Sequence, residues 1–145
     1  MAIDQSLFIL HSKSANPVLT ENGWNTTVPP SLNKEDVEKK VSQHLAREES
    51  WSQALLIFSD EFIKVEAGLS DDGCSLANIS VRISLKKLGS KQQLLKIANT
   101  VLQIAQELNL GVWGTVGKKY ITTTEEVYNE ILQSSAGQLY QDLLK

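Results

Sequence analysis

The sequence predicts an α+β fold: an antiparallel sheet of about five strands with helices mainly on one face. Three observations lead there. Ala77, Ile79, Val81, Ile83 and Leu85 alternate with Asn78, Ser80, Arg82 and Ser84, the period of a strand with one buried and one wet face. After Ser90 the period changes. Leu94, Ile97, Ala98, Val101, Leu102, Ile104, Ala105 and Leu108 line one broad side of a helix. The third observation is the order of elements, α-β-β-β-α-β-β-α, joined by short turn-like stretches.

Taken in order, residues 1–32 read as an extended N-terminal arm. Leu7, Phe8, Ile9 and Leu10 offer one strand, and Asn16-Pro17, Asn22-Gly23 and Pro29-Pro30 then break the chain. Residues 33–133 form the core of a single domain spanning 1–145. Its first helix starts at Asn33, a good N-cap with Asp36 three residues on. Val37, Val41 and Leu45 give that helix a narrow apolar stripe, and Arg47, Glu48 and Glu49 belong to its solvated side.

Ala54–Phe58 is continuously apolar, as expected of a strand covered on both faces. Ile63, Val65 and Ala67 then alternate with Phe62, Lys64 and Glu66, and an Asp71-Asp72-Gly73 turn leads into the strand named above. Ser90 with Gln93 caps the main helix, and Asn109 and Gly111 stop it. Short strands are expected at Leu110–Trp113 and Lys119–Thr122. The last helix begins at Thr123 with Glu126 completing its cap, and buries Val127, Tyr128, Ile131 and Leu132. Residues 134–145 form an amphipathic tail carrying Leu139, Tyr140, Leu143 and Leu144.

The bulk numbers exclude several classes of function. With 41% hydrophobic and 21% charged residues the chain is ordinary for a globular protein. A net charge of −3 gives no general attraction to nucleic acid or anionic lipid. No apolar run approaches the roughly 20 residues of a spanning helix, and no targeting segment is read. The lone Cys74 has no disulfide partner in the chain, which fits a reducing cytoplasm.

The stretch GVWGTVGKKY, Gly111–Tyr120, has the look of a phosphate loop and fails its spacing. Val112 stands where a P-loop needs Gly, and Lys119 where it needs Ser or Thr. A turn between strands is the expectation. His11, His44 and Cys74 have no second ligand at metal spacing, and no Gly-x-Ser-x-Gly elbow is present. No catalytic, metal or cofactor residue is assigned and no cofactor is expected. Asp60, Glu61, Asp71 and Asp72 read as turn carboxylates. The residues best suited to contact a partner are Trp51, Trp113, Tyr120 and Tyr140, since large rings with a polar edge suit interfaces.

Between Lys34 and Gln133 the order of elements, with the strand–long helix–strand stretch Ile79–Trp113, resembles the type III secretion chaperone-like superfamily, including its YbjN-type branch and uncharacterised cyanobacterial relatives. That resemblance implies a homodimer and, as in several members, an extended polypeptide partner. The function expected is thus a non-enzymatic protein–protein interaction module, chaperone- or adaptor-like. Two other readings stay open. One is a small-molecule or enzymatic pocket beside the sheet. The other is an immunity-type or regulatory protein that masks a partner with one acidic patch.

Overall fold

Phe58, Val65, Val81 and Phe8 lie side by side across four neighbouring strands, all buried, and the sheet extends outward from that row. The structure, a computed structural model, describes residues 5–85 and 90–133. In chain order the elements are β1 (Gln5–His11), β2 (Val18–Thr20), β3 (Gly23–Asn25), α1 (Lys34–Val41), β4 (Ala46–Glu48), β5 (Leu55–Ser59), β6 (Ile63–Leu69), β7 (Leu76–Ser84), α2 (Lys91–Glu107), β8 (Gly111–Gly114), β9 (Lys119–Ile121) and α3 (Thr124–Gln133).

Seven strands form one sheet in the order β4-β5-β6-β7-β1-β8-β9, with antiparallel pairing throughout, and β2 and β3 make a separate hairpin. The α+β class holds, and the sheet is two strands wider than expected. Both extra strands were hidden for a physical reason. β1 belongs to the stretch read as an arm, yet it lies between β7 and β8 in the body of the sheet, with Phe8, Ile9 and Leu10 buried. β4 was read as the end of the first helix. That helix closes at Ser42, and Ala46–Glu48 pairs with β5 instead.

One face of the sheet carries Phe8, Leu10, Leu56, Phe58, Ile63, Val65, Ala67, Ile79, Val81, Ile83, Val112 and Ile121. The apolar residues of the three described helices join the same cluster: Val37 and Val41 of α1, Leu94, Ile97, Ala98, Val101, Ile104 and Ala105 of α2, and Val127 and Ile131 of α3. The alternation in β6 and β7 was therefore a true report of which side faces the helices. A register shift at Gly68/Leu69 ends it early, so Leu76 is buried where Ala77 was expected. Leu102 is only half-buried, packed against the rim of the core.

The helix ends follow the sequence signals. Asn33 and Asp36 make a reciprocal capping box. The Ser90 hydroxyl accepts from Gln93 N at 3.2 Å, and the Thr123 hydroxyl from Glu126 N at 3.2 Å. A hydrogen bond from the Thr122 hydroxyl is the main reason the Glu126 carboxyl lies below its ordinary pKa. Asn109 takes φ 58°, the left-handed turn that stops α2. His44 and Lys40 fasten α1 to that same end. The His44 Nε2 lies 2.9 Å from a Glu107 carboxylate oxygen, and Lys40 Nζ donates to the Glu107 carbonyl at 2.7 Å, where the exposed carbonyls of a helix C-terminus attract cations.

Candidate functional site

The four residues expected to meet a partner do not share one surface. Trp51 lies between β4 and β5 at one edge of the sheet, whereas Trp113 and Tyr120 lie on β8 and β9 at the other. Tyr140 lies outside the described residues.

Trp51 is 87% exposed, and local bonds hold it there. Ser52 N donates to the Ser50 hydroxyl and Ala54 N to the Ser52 hydroxyl, each at 3.1 Å, so two serine turns flank the indole. Leu69 N then donates to the Ala54 carbonyl at 2.7 Å and ties the loop to β6. A single exposed apolar ring is ordinary on a protein surface; what sets Trp51 apart is that serine turns order the chain on both sides of it.

Beside that loop runs an open groove of about 1100 Å³, lined by Lys34, Arg47, Glu49, Leu55, Leu69 and Asp71 among others. One wall is β4, an edge strand three residues long. Arg47 on β4 stacks over the Phe58 ring at 5.5 Å and reaches Glu38 at 3.9 Å. Glu48 accepts from the Ser59 hydroxyl at 2.6 Å. The far wall is the Ser70–Ser75 turn. Asp72 accepts there from Cys74 N and Ser75 N, both at 2.8 Å, and from the Ser75 hydroxyl at 2.6 Å. These bonds, the Ser75 hydroxyl first, pull the Asp72 carboxyl down to about 2. Gly73, at φ 73°, supplies the left-handed step the turn requires.

Asp60 plays the same part in its own turn, accepting from Phe62 N and Ile63 N at 2.8 and 2.7 Å. The Asp60-Glu61 and Asp71-Asp72 turns cap opposite ends of β6, a strand of seven residues. They do not make the single acidic patch that a masking protein would use. Among the described residues no group of three or more His, Cys, Asp or Glu side chains is placed to hold a metal ion. No described helix is long and apolar enough to cross a membrane.

At the other edge Trp113 is 5% exposed, which removes it from any open contact surface. Trp24 of the hairpin meets it edge-on at 6.4 Å, and Tyr120 meets it edge-on at 5.1 Å. The Trp113 Nε1–H finds no acceptor among the described residues. Tyr120 is half-buried, and its hydroxyl donates to the Ser12 carbonyl at 2.6 Å with the Ala15 carbonyl also within reach. Burial raises the Tyr120 phenol above its ordinary pKa.

The glycine turn between β8 and β9 does bind an anion, and the anion is internal. Glu130 on α3 is buried, and its carboxylate accepts from Val116 N at 2.7 Å and Gly117 N at 2.8 Å. In the sequence Glu130 was an ordinary polar position. Its one visible signal was its place on the buried side of α3, between Val127 and Ile131.

The groove beside β4 was not legible either, since two distant turns and a strand without an apolar pattern build it. It offers the backbone groups of an edge strand and charges of both signs, and the exposed Trp51 stands in the adjoining loop. No protein-family model, curated protein or solved structure matches the chain.

Proposed function

We propose that the chain is a non-enzymatic interaction module that takes an extended segment of another polypeptide along the groove beside β4, with Trp51 as the anchor. The observation that carries this reading is the Trp51 indole, 87% exposed in the loop whose Ser50 and Ser52 line the groove, though the indole itself does not. An edge strand offers unpaired backbone groups to an incoming strand, and an exposed indole in the adjoining loop offers a large apolar contact with a polar edge. The likeness to type III secretion chaperones read from the sequence agrees with this reading, although it rests on three strands between the first two helices where the structure has four, β4 to β7.

We set the homodimer that this likeness implies away from β4. A two-fold pairing of β4 with its own copy, using all three residues, sets Arg47 opposite Arg47 on one face, and like charges directly opposite disfavour a pair. The edge is thus kept for a different chain. Light scattering at micromolar concentration tests the dimer, and a strict monomer removes that half of the reading.

The partner is tested by placing a photoactivatable cross-linking residue at position 51 in the native cell, with exposed Gln103 on α2 as the comparison site. Position 51 should capture a defined polypeptide through one extended segment, and position 103 should not. Equal capture at both positions, or none at 51, overturns the reading.

A further inference from the structure

Fully buried His11, at the end of β1, holds both ends of the segment that crosses the open face of the sheet. Its Nε2 lies 2.7 Å from Thr27 N, and its Nδ1 lies 2.9 Å from the Ser12 carbonyl and 3.2 Å from the Tyr120 hydroxyl. A backbone N–H only donates, so Nε2 carries the lone pair and Nδ1 the proton. The closed arrangement therefore requires the neutral ring. A protonated ring would aim a second N–H at the Thr27 N–H, and the hydrogen bond would become a repulsion.

We propose that His11 is the latch of a proton-sensitive flap, residues 12–27, which covers Trp113 when the imidazole is neutral and releases it when the imidazole is charged. The flap is lightly held. Most of its residues are exposed, Pro17 being the buried exception. Besides the His11 and Tyr120 contacts, its ties to the sheet are a Thr26 hydroxyl bond to the Ala77 carbonyl at 3.2 Å and the Trp24–Trp113 ring contact. Ser12 N to the Thr27 carbonyl, at 2.8 Å, closes the base of the flap on itself. Closure also keeps the Trp113 Nε1–H dry without an acceptor among the described residues, so opening lets water satisfy it.

The groups around the ring offer its charged form little. From β9 there is the Tyr120 phenol, and β8 contributes only Gly111, Val112, Trp113 and Gly114, none of them charged. The flap carries Lys13 and Glu21, both exposed. On β7 the charged side chain of this face is Arg82, opposite Leu7 rather than His11 and paired with Glu66 at 3.2 Å.

The test is amide hydrogen exchange by NMR on the whole chain between pH 8 and pH 5, corrected for the intrinsic pH dependence. Thr27 N–H should lose at least tenfold protection on going to pH 5, while Val81 N–H in the middle of the sheet keeps its own. His11→Gln presents a carbonyl oxygen that accepts from Thr27 N–H without titrating, and its Thr27 protection should not change with pH. The proposal is overturned if wild-type Thr27 is equally protected at both pH values. It is also overturned if Thr27 and Val81 lose protection together, or if His11→Gln loses it as wild type does. The wild-type comparison stands by itself should His11→Gln fail to fold.

Discussion

Glu130 holds Gly117: its Oε1 lies 2.8 Å from the glycine nitrogen, and its other oxygen takes Val116 N. A turn whose composition suggests phosphate is filled by a carboxylate from the last helix, and this joins α3 to the β8–β9 corner. Both oxygens are in use, so the neutral amide of Glu130→Gln keeps one acceptor and turns an NH₂ group toward the other N–H. Hydrogen bonds to a charged group contribute about 1.5–3 kcal/mol. Glu130→Gln should therefore lower unfolding stability by about 2 kcal/mol. The urea midpoint checks this, and an unchanged midpoint would remove the structural role given to Glu130.

Gly114 is the close-approach glycine of that corner. A Cβ there would stand 2.6 Å from the Glu130 carboxyl carbon and 2.8 Å from Ile121 Cδ1. Overpacking of this kind costs about 1–3 kcal/mol. Gly114→Ala should be destabilising by that amount in chemical denaturation, whereas Gly73→Asn, at a left-handed position with nothing within 4 Å of its Cβ, should cost far less.

Trp51→Ala separates binding from stability. The ring is 87% exposed, so its removal should change unfolding free energy by no more than about 0.5 kcal/mol. Truncating an aromatic anchor weakens an interface by about 2 kcal/mol or more, roughly thirtyfold in Kd. Peptides selected from a random library for binding to wild type should lose that affinity with the variant when measured by calorimetry. Retained affinity would move the site away from the groove.

Asp72 gives a pH signature to the far wall of the groove. Its carboxyl is lowered in the folded chain from 3.8 to about 2, first by the Ser75 hydroxyl and then by the Ser75 and Cys74 N–H groups. A depressed folded pKa means a stabilising contribution that is complete above the unfolded value and is lost as pH falls through the folded one. The stability gap between wild type and Asp72→Asn should be open at pH 6, narrow between pH 4 and pH 2 (roughly the interval between the two values), and close below it. In Ser75→Ala the Asp72 titration followed by carboxyl NMR should move back up toward the ordinary aspartate range. A midpoint unchanged by that substitution would remove the hydroxyl as the leading cause.

What could be read in advance was whatever depends on near neighbours. The caps at Asn33, Ser90 and Thr123, the left-handed stop at Asn109 and the inward faces of β6 and β7 are decided within a few residues, and the sequence carries them openly. β1 could be recognised as apolar but not located, since its flanking strands, β7 and β8, come much later in the chain. Ala46-Arg47-Glu48 has no apolar period, and only pairing with β5 makes it a strand. Trp51 was singled out as a contact residue and it is exposed, but the serine turns that order the chain around it leave no hydrophobic pattern to read. Trp113 was singled out for the wrong environment. The hairpin that buries it is polar along most of its length, and its one covering ring, Trp24, stands between Gly23 and Asn25.

The place of β1 in the sheet has a consequence for how the chain is made. The Thr115 hydroxyl donates to the Leu7 carbonyl across 108 residues of sequence. During synthesis β1 leaves the ribosome before either strand that will flank it, while β4 to β7 can form their consecutive pairings as they emerge. An early apolar strand must then wait in water until β7 and β8 arrive to take it. Closure of the sheet over such separations is slow relative to local hairpins, and the waiting strand is the segment most open to mispairing with other chains.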